Sequence, residues 1–383
     1  MTRRNWLKKS ELSRNGTRVV EFKTIHGRFE FEVQRFTTGQ DYLSLTGQGV
    51  KGYVSERLVE YAIYYSNRLS YEEVAGLIER QTGDRLLSDQ SIWRLVVGKA
   101  AEVSESQRQQ VEAITRSSPH LPAITTEIDL YDPDQAEVLL FEDGIQVKEQ
   151  KPTRDHQPKE SRTRINTDVV LLEKPDATYH YLVAGIDETG AEIISLEQLV
   201  QARLRREYAG CQPPLPVVAI TDGATAIRTS LLAIFGQPVT LILDWYHLEK
   251  KVSELFSMIA LTKPEKHTHL NHILPLLWEG KTPQVLTYLG TQVQPRNPDR
   301  LQELMTYLHK HAHEIIDYQR RQQAGKSVGS GRVEKAVDQV IGRRQKDNAM
   351  SWSRLGSKAL AILKVVELNQ QWPSLWDFED LAA

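Results

Sequence analysis

Three aspartates stand where apolar, β-branched runs end. Asp143 follows VLLFE, Asp222 follows PVVAIT and Asp244 follows PVTLIL. Strand ends at one edge of an α/β sheet are where loops converge and sites are built. A carboxylate there loses hydration unless something positive meets it. Several together repel and so ask for a cation. Magnesium, a hard ion, takes oxygen from one or two carboxylates together with water and phosphate. The competing reading of Asp143-Gly144 and Asp222-Gly223 is a pair of turns, since Asp-Gly is a common turn pair. The run PVVAITDGATAIR, passing from a buried strand straight into a helix, makes Asp222 the stronger of the two.

A third acid must come from elsewhere. In SVGSGRVEKAVDQVIGRRQK, Ser330 is a helix-cap candidate, and Val333, Val337, Val340 and Ile341 recur as one buried stripe. Glu334 lies beside that stripe and is expected to reach toward the sheet edge; Asp338, one turn on, competes for the role. A solvated ion pair is the ordinary alternative for each. His247 follows Asp244 by three residues, and an imidazole there can serve as a base, a phosphate contact or a metal ligand. The histidines of HTHLNH and HKHAHE lack the cysteines or strict spacing of a closed zinc site.

The elements that must carry these groups follow from patterning. Residues 1–52 form a small β region, with a hairpin expected over 19–36 where apolar and polar positions alternate around a glycine. Residues 53–118 are helical. Ser70 and Glu73 compose a capping box, Gly83 ends that helix, and Ser88 opens the next. Helix, short turn and polar-fronted helix is the pattern of a helix-turn-helix, with Gln90, Ser91 and Arg94 facing outward, although plain αα-hairpins share it. Residues 119–245 hold six strand-like runs with one crossover helix, ISLEQLVQARLRREYAG, before the last two, which implies a mixed α/β sheet. Residues 246–325 are again helical, and 326–383 are mainly helical with Ser/Gly punctuation.

The 383 residues carry 48 Lys and Arg against 50 Asp and Glu, a net charge of −2, which excludes a uniformly basic coat. Charge is concentrated instead. From Arg320 to Lys358, ten Lys or Arg face three acids, a surplus of seven that suits a local grip on a phosphate backbone or, more plainly, a solvated helix face. Trp352 is a base-stacking candidate or, more ordinarily, a core residue. The single cysteine, Cys211, excludes an internal disulfide. No apolar run nears the roughly 20 residues that span a bilayer, and MTRRNWLKKSELSRNG lacks the apolar core of a signal peptide. The expected setting is a reducing cytoplasm, with no membrane partner.

Taken in order, FEDGIQVK, VVAITDGATAIR, LILDWYHLEKKV and SVGSGRVEKAVDQVIGRRQKDNAMSWS resemble DDE transposases of bacterial insertion sequences, closest to the group often called ISKra-type, from about residue 55 to about residue 372. The resemblance implies an α/β ribonuclease H-like mixed-sheet catalytic core with an all-α insertion, preceded by the helical, helix-turn-helix-like domain. Matched motif by motif, its catalytic and metal-holding acids are Asp143, Asp222 and Glu334, and its D-x-x-H element is Asp244 and His247, in support. The 112 residues from Asp222 to Glu334 then accommodate the insertion at 246–325. Two Mg2+ or Mn2+ ions about 4 Å apart would clamp a scissile phosphate, bridged by Asp143. Double-stranded DNA at the element ends and at a target, bound by a homo-oligomer near the nucleoid, is the implied partner. Arg332, Lys335, Arg343, Arg344 and Lys346 would contact it beside the site, with Gln90, Ser91 and Arg94 at a distance. The cysteine knuckles that some relatives carry are not matched here, and the resemblance then implies that end recognition is either reduced or rests on residues 1–118. Two other readings compete: a junction-resolving or repair nuclease of the same fold, and an inactive DNA-binding regulator.

Overall fold

The computed structural model describes residues 13–37, 54–150, 163–210, 214–346 and 350–376. The chain divides into two compact units, one of 1–103, 188–190 and 353–383, the other of 104–187 and 191–352. Among the described residues, no helix is long and apolar enough to cross a membrane.

The first unit opens with the expected hairpin. β1 (Arg14–Thr24) and β2 (Gly27–Phe36) pair antiparallel around a tight turn. Next come α1 (Glu56–Ser66) and α2 (Tyr71–Thr82), the latter with Ser70 and Glu73 in a reciprocal capping box. Gly83 closes α2 at φ +79°, a left-handed conformation that glycine adopts without a Cβ penalty. α3 (Asp89–Ser117) starts at Ser88, whose hydroxyl accepts from Ser91 N at 3.1 Å. The connection from Gly83 to Ser88 is longer than the three or four residues of a DNA-reading turn. Gln90 and Arg94 are exposed and Ser91 is half-buried. The C-terminal helix Arg354–Leu368 groups with this unit, through an Arg68–Glu367 ion pair and a bond from Trp372 to Glu60 at 2.9 Å.

The second unit is built on a mixed sheet. Its strands are β4 (Val138–Lys148), β5 (Arg164–Glu173), β6 (Tyr179–Leu182), β9 (Leu215–Thr221) and β10 (Thr240–Leu243), in the order β10-β9-β4-β5-β6. β3 (Ile124–Thr125) adds a parallel bridge to the start of β9, and β7 (Gly185–Ile186) and β8 (Glu192–Ile194) form a separate small ribbon. β5 runs antiparallel to both of its neighbours, β4 and β6, whereas β4, β9 and β10 run parallel. Parallel neighbours need crossovers. α4 (Leu196–Glu207) leads into β9, and α5 (Thr225–Phe235) carries the chain from β9 to β10.

Side chains alternate across a strand, so the sheet has two distinct faces. Val138, Leu140, Val170, Leu172, Val217 and Ala219 pack under α4 and α5. The opposite face, with Phe141 and Asp143, receives α11 (Gly331–Val337), which packs on β4 and β5, and the π-helix Asp338–Lys346 that continues it. Val333, Val337, Val340 and Ile341 are all buried, as their spacing required.

Between β10 and α11 lie the expected helices: α6 (Trp245–Ile259), α7 (Lys263–Trp278), α8 (Thr282–Gln292), α9 (Pro298–Lys310) and the short α10 (Tyr318–Gln323). α6 packs on α7 and α9, and α8 fills the other side, around Val252, Phe256, Ile273, Leu277, Leu289 and Leu304. Their return to the sheet is tied by Arg321. Its fully buried guanidinium pairs with Glu137, one residue before β4, and Lys326 reaches the same carboxylate at 3.3 Å.

Candidate metal centre

The sheet register lines up the three aspartates. β4 and β9 pair at Phe141 and Ile220, so two residues on, Asp143 stands abreast of Asp222. β10 and β9 pair at Leu243 and Thr221, so one residue on, Asp244 stands abreast of Asp222. Asp244 N donates to Thr221 O at 2.8 Å, which extends the ladder to that point. Adjacent strands lie about 4.8 Å apart, and three carboxylates at one level are crowded together.

The expectation that Asp143 ends its strand is corrected. β4 runs on to Lys148, in unbroken register with β5 down to Lys148 opposite Arg164. Asp143-Gly144 is therefore no turn. Glycine serves there to admit Asp168, whose Oδ1 would lie 2.6 Å from a Cβ on Gly144. Asp222 does follow the end of its strand. Gly223 has φ +84°, and a Cβ there would lie 2.7 Å from His311 Cε1, so the turn is closed from behind by the helical region.

Asp244 is fully buried and saturated with donors. Oδ1 accepts from Tyr246 N at 2.7 Å, capping α6, while Oδ2 accepts from Ser330 N at 2.9 Å, from the Ser330 hydroxyl and from His247 Nδ1 at 3.0 Å. Burial pushes its carboxyl up, but the bonds from His247, Ser330 and Tyr246 outweigh burial and hold it below the usual range. The Ser330 hydroxyl thus does not cap its own helix, as the sequence suggested; it ties the start of α11 to β10. Gly329 fits beneath the Tyr246 ring, whose Cδ2 would be 2.6 Å from a Cβ.

That tie places Glu334. Its Oε1 lies 3.8 Å from His247 Nδ1, and its side chain is 51% exposed. The bond to Asp244 raises the His247 pKa against burial, with the charges of Asp244, Glu334 and Asp222 adding to the rise. Asp143 feels the same neighbours. Burial pushes its carboxyl up and the Gly144 N–H opposes this; Asp222 and Glu334 push it up further, against His247.

Asp244, His247 and Glu334 offer ligand atoms within 4.8 Å of one another and could hold a metal ion. Asp244, however, has its oxygens occupied by protein donors, which suits an anchor better than a ligand. The spare capacity lies with the other acids. Asp143 Oδ1 accepts from Gly144 N at 2.8 Å and Asp222 Oδ1 from Ala224 N at 2.7 Å, and among the described residues no lysine or arginine pairs with either. Uncompensated carboxylate oxygens on one sheet face are a donor set for a hard divalent cation.

The basic candidates separate by position. Arg332, Lys335 and Lys346 are exposed, and Arg332 bonds the Tyr179 hydroxyl. Arg343 Nε donates to Asp338 at 3.1 Å, which gives Asp338 the surface ion pair that was its ordinary alternative. Arg344 is turned inward, with its guanidinium 4.6 Å from the Trp352 ring centroid. Trp352 is buried and donates to Gln345 O at 3.0 Å, so it is a core residue. A nine-residue π-helix displays this segment, a rare form that is frequent at functional sites.

Patterning missed three groups around the acids. Tyr307 on α9 is pushed up to about 12 by burial and by the charges of Asp222, Glu314 and Asp244. His311, Glu314 and Arg228 form a bonded cluster behind Gly223, with Arg228 Nη2 2.6 Å from Glu314 and 2.8 Å from His311. Strict alternation could have found the third, Glu142, which faces away from Asp143. Its Oε2 is buried without a partner, and burial, with Asp168 and Asp222 adding, pushes its carboxyl from 4.5 to about 7. The folded chain therefore keeps this proton between about pH 4.5 and 7 while the unfolded chain releases it, so stability falls as pH rises through that window. At pH 8 the loss amounts to about 3 kcal/mol. Glu142→Gln in chelator should melt higher than wild type at pH 8 and lose the advantage toward pH 4.5. Parallel stability curves from pH 5 to 8 would contradict the assignment.

A model of an uncharacterised protein family, UPF0236, matches residues 39–372. Curated proteins yield no match. Among solved structures, the Drosophila P element transposase strand transfer complex is similar at 11% identity, over 87% of this chain and 83% of that one, with a TM-score of 0.26. A superposition that loose carries no argument about either fold or function.

Proposed function

The chain belongs to the uncharacterised protein family UPF0236, and we propose that it is a DDE-type transposase, a metal-dependent enzyme of DNA cleavage and strand transfer on a ribonuclease H-like core. The observation that carries the proposal is the side-by-side register of Asp143 and Asp222, with Glu334 delivered to the same cluster by a late helix on the same sheet face. The strand order supports the core: three antiparallel neighbours, then two strands parallel to the first, with a long helical excursion before the last acid.

Asp143, Asp222 and Glu334 would together hold the Mg2+ or Mn2+ ions. Such ions, when bound, activate an attacking water or 3′-hydroxyl and stabilise the leaving oxygen. The protein's own groups do the rest. Asp244 holds His247 with a proton on Nδ1 and fixes α11 through Ser330, which sets the place of Glu334. A His247 with raised pKa stays positive nearer neutral pH and attracts a phosphate toward the acids. Arg332, Lys335 and Lys346 would track the backbone. Arg343 can join by leaving Asp338, while Arg344 drops out because it is buried on Trp352. Gln90 and Arg94, exposed at the start of α3, would meet DNA in the first unit, with Ser91 buttressing the cap. Bringing two element ends together calls for a homo-oligomer, and the substrate places the protein with cellular DNA.

The test is to incubate the protein with duplexes bearing the ends of its element and a supercoiled target plasmid in Mg2+ or Mn2+. Joined products are expected. Cutting without joining would identify a nuclease instead, and DNA binding that is indifferent to metal, with no nicking at any ion concentration, a regulator.

A further inference from the structure

A second site stands apart from the acids. Where α3 gives way to residues Ser118–Ala123, and where α4 ends near Gly210, the second unit has a cavity of about 230 Å³ lined by Ser118, His120, Leu121 and Arg205 among others. That is smaller than the roughly 300 Å³ at which drug-sized ligand pockets begin, and fits a small ion or one group of a larger molecule.

Arg205 is the unusual member. It is 9% exposed. Its Nε is buried with no hydrogen-bond partner, and Nη2 makes a single long bond, to Pro119 O at 3.5 Å. Among the described residues, no carboxylate pairs with it. Arg321, also buried in this unit, shows the contrast, since it is matched to Glu137. Nearby Glu207 is engaged by His180 at 3.1 Å. A guanidinium does not shed its charge inside a protein, and burying an ion without a partner is strongly unfavourable. Its place in the last turn of α4, where the helix dipole favours a cation, offsets that cost only in part. The remainder calls for a counter-anion.

We propose that this cavity binds a phosphate group, held by the fork of Arg205 with Ser118 and His120 as the further polar groups of the wall. A guanidinium edge presents parallel N–H donors that match two oxygens of a phosphate. The phosphate could belong to a nucleic-acid backbone or be free in solution; the chemistry of the pocket is the same for both, and the experiment separates them. The proposal does not depend on the reading of the acidic centre.

Thermal melting of the full-length chain, with inorganic phosphate titrated at constant ionic strength against chloride, is the first arm. Binding to a short random-sequence duplex without divalent metal is the second. If the phosphate is free, the wild-type midpoint rises with phosphate, Arg205→Gln abolishes the rise, and DNA affinity is unchanged. If it is a backbone phosphate, Arg205→Gln weakens the duplex roughly tenfold, the loss of one charge-assisted contact. A wild-type midpoint indifferent to phosphate, together with equal DNA affinity in the variant, overturns the proposal. Should Arg205→Gln fail to fold, Arg205→Lys, which keeps the charge but not the fork, replaces it in both arms.

Discussion

Asp222→Asn is expected to lower DNA cleavage by about a thousandfold, ~4 kcal/mol of barrier, while the chain stays folded and keeps its affinity for DNA. The substitution is nearly isosteric. Asparagine retains an oxygen to accept from Ala224 N, the bond that Asp222 Oδ1 makes at 2.7 Å, so the turn into α5 persists. What disappears is one negative charge from a cluster that already pushes Asp143 and Glu142 toward their protonated forms. Repulsion falls and the fold should be no less stable. A hard cation, in contrast, loses a charged ligand. Single-turnover cleavage in Mg2+, beside a melting curve and a DNA titration, separates these effects. Asp338→Asn is the control, because that carboxylate is exposed and paired with Arg343, and should cut at the wild-type rate. An Asp222→Asn chain that cuts equally fast would remove Asp222 from the chemistry.

How far the sequence could be read depended on the range of the interaction. Each apolar run from VLLFE to PVTLIL became a strand, and the capping box of Ser70 with Glu73 formed as written, because alternation and capping are settled within a few residues. The valine stripe of 333–341 was legible for the same reason. Asp143 was misplaced at a strand end because Asp-Gly has a strong local turn preference, which pairing with β5 overrides for another five residues. Ser330 looked like a cap, but its hydroxyl serves Asp244, 86 residues earlier in the chain. Arg344 looked like its exposed neighbours until the π-helix turned it onto Trp352. Periodicity reports which face a residue takes, not which distant group meets it there. The abreast positions of Asp143, Asp222 and Asp244 depend on strand order and register, and neither is written in any single run.

The same distinction separates a chemical lesion from a structural one, and Arg321 supplies the structural case. Arg321→Ala should cost 3–5 kcal/mol by roughly the usual measure for breaking a buried ion pair. Arg321 is fully buried; Nε donates to Ser327 O at 2.7 Å, and Nη1 to Leu130 O at 3.2 Å and to Glu137 at 3.1 Å. Alanine removes all of these and leaves Glu137 almost wholly buried, with only Lys326 to face it. The loss is a large share of the roughly 5–15 kcal/mol that holds a typical protein folded. It falls where the helical region rejoins the sheet, at the mouth of β4, six residues from Asp143. Urea denaturation should show the midpoint fall, and Glu137→Gln in the same background should recover part of it, because the stranded charge is then gone. If the two losses simply add, the pair is not the source of the stability. Cleavage per folded molecule, measured in the cold where most chains remain native, should stay within a few-fold of wild type, since no acid has been touched. Asp222→Asn is thus expected to be stable and inert, and Arg321→Ala fragile and competent. Finding both fragile would mean that the acids also serve as structural supports, and that their loss of activity cannot be read as chemistry.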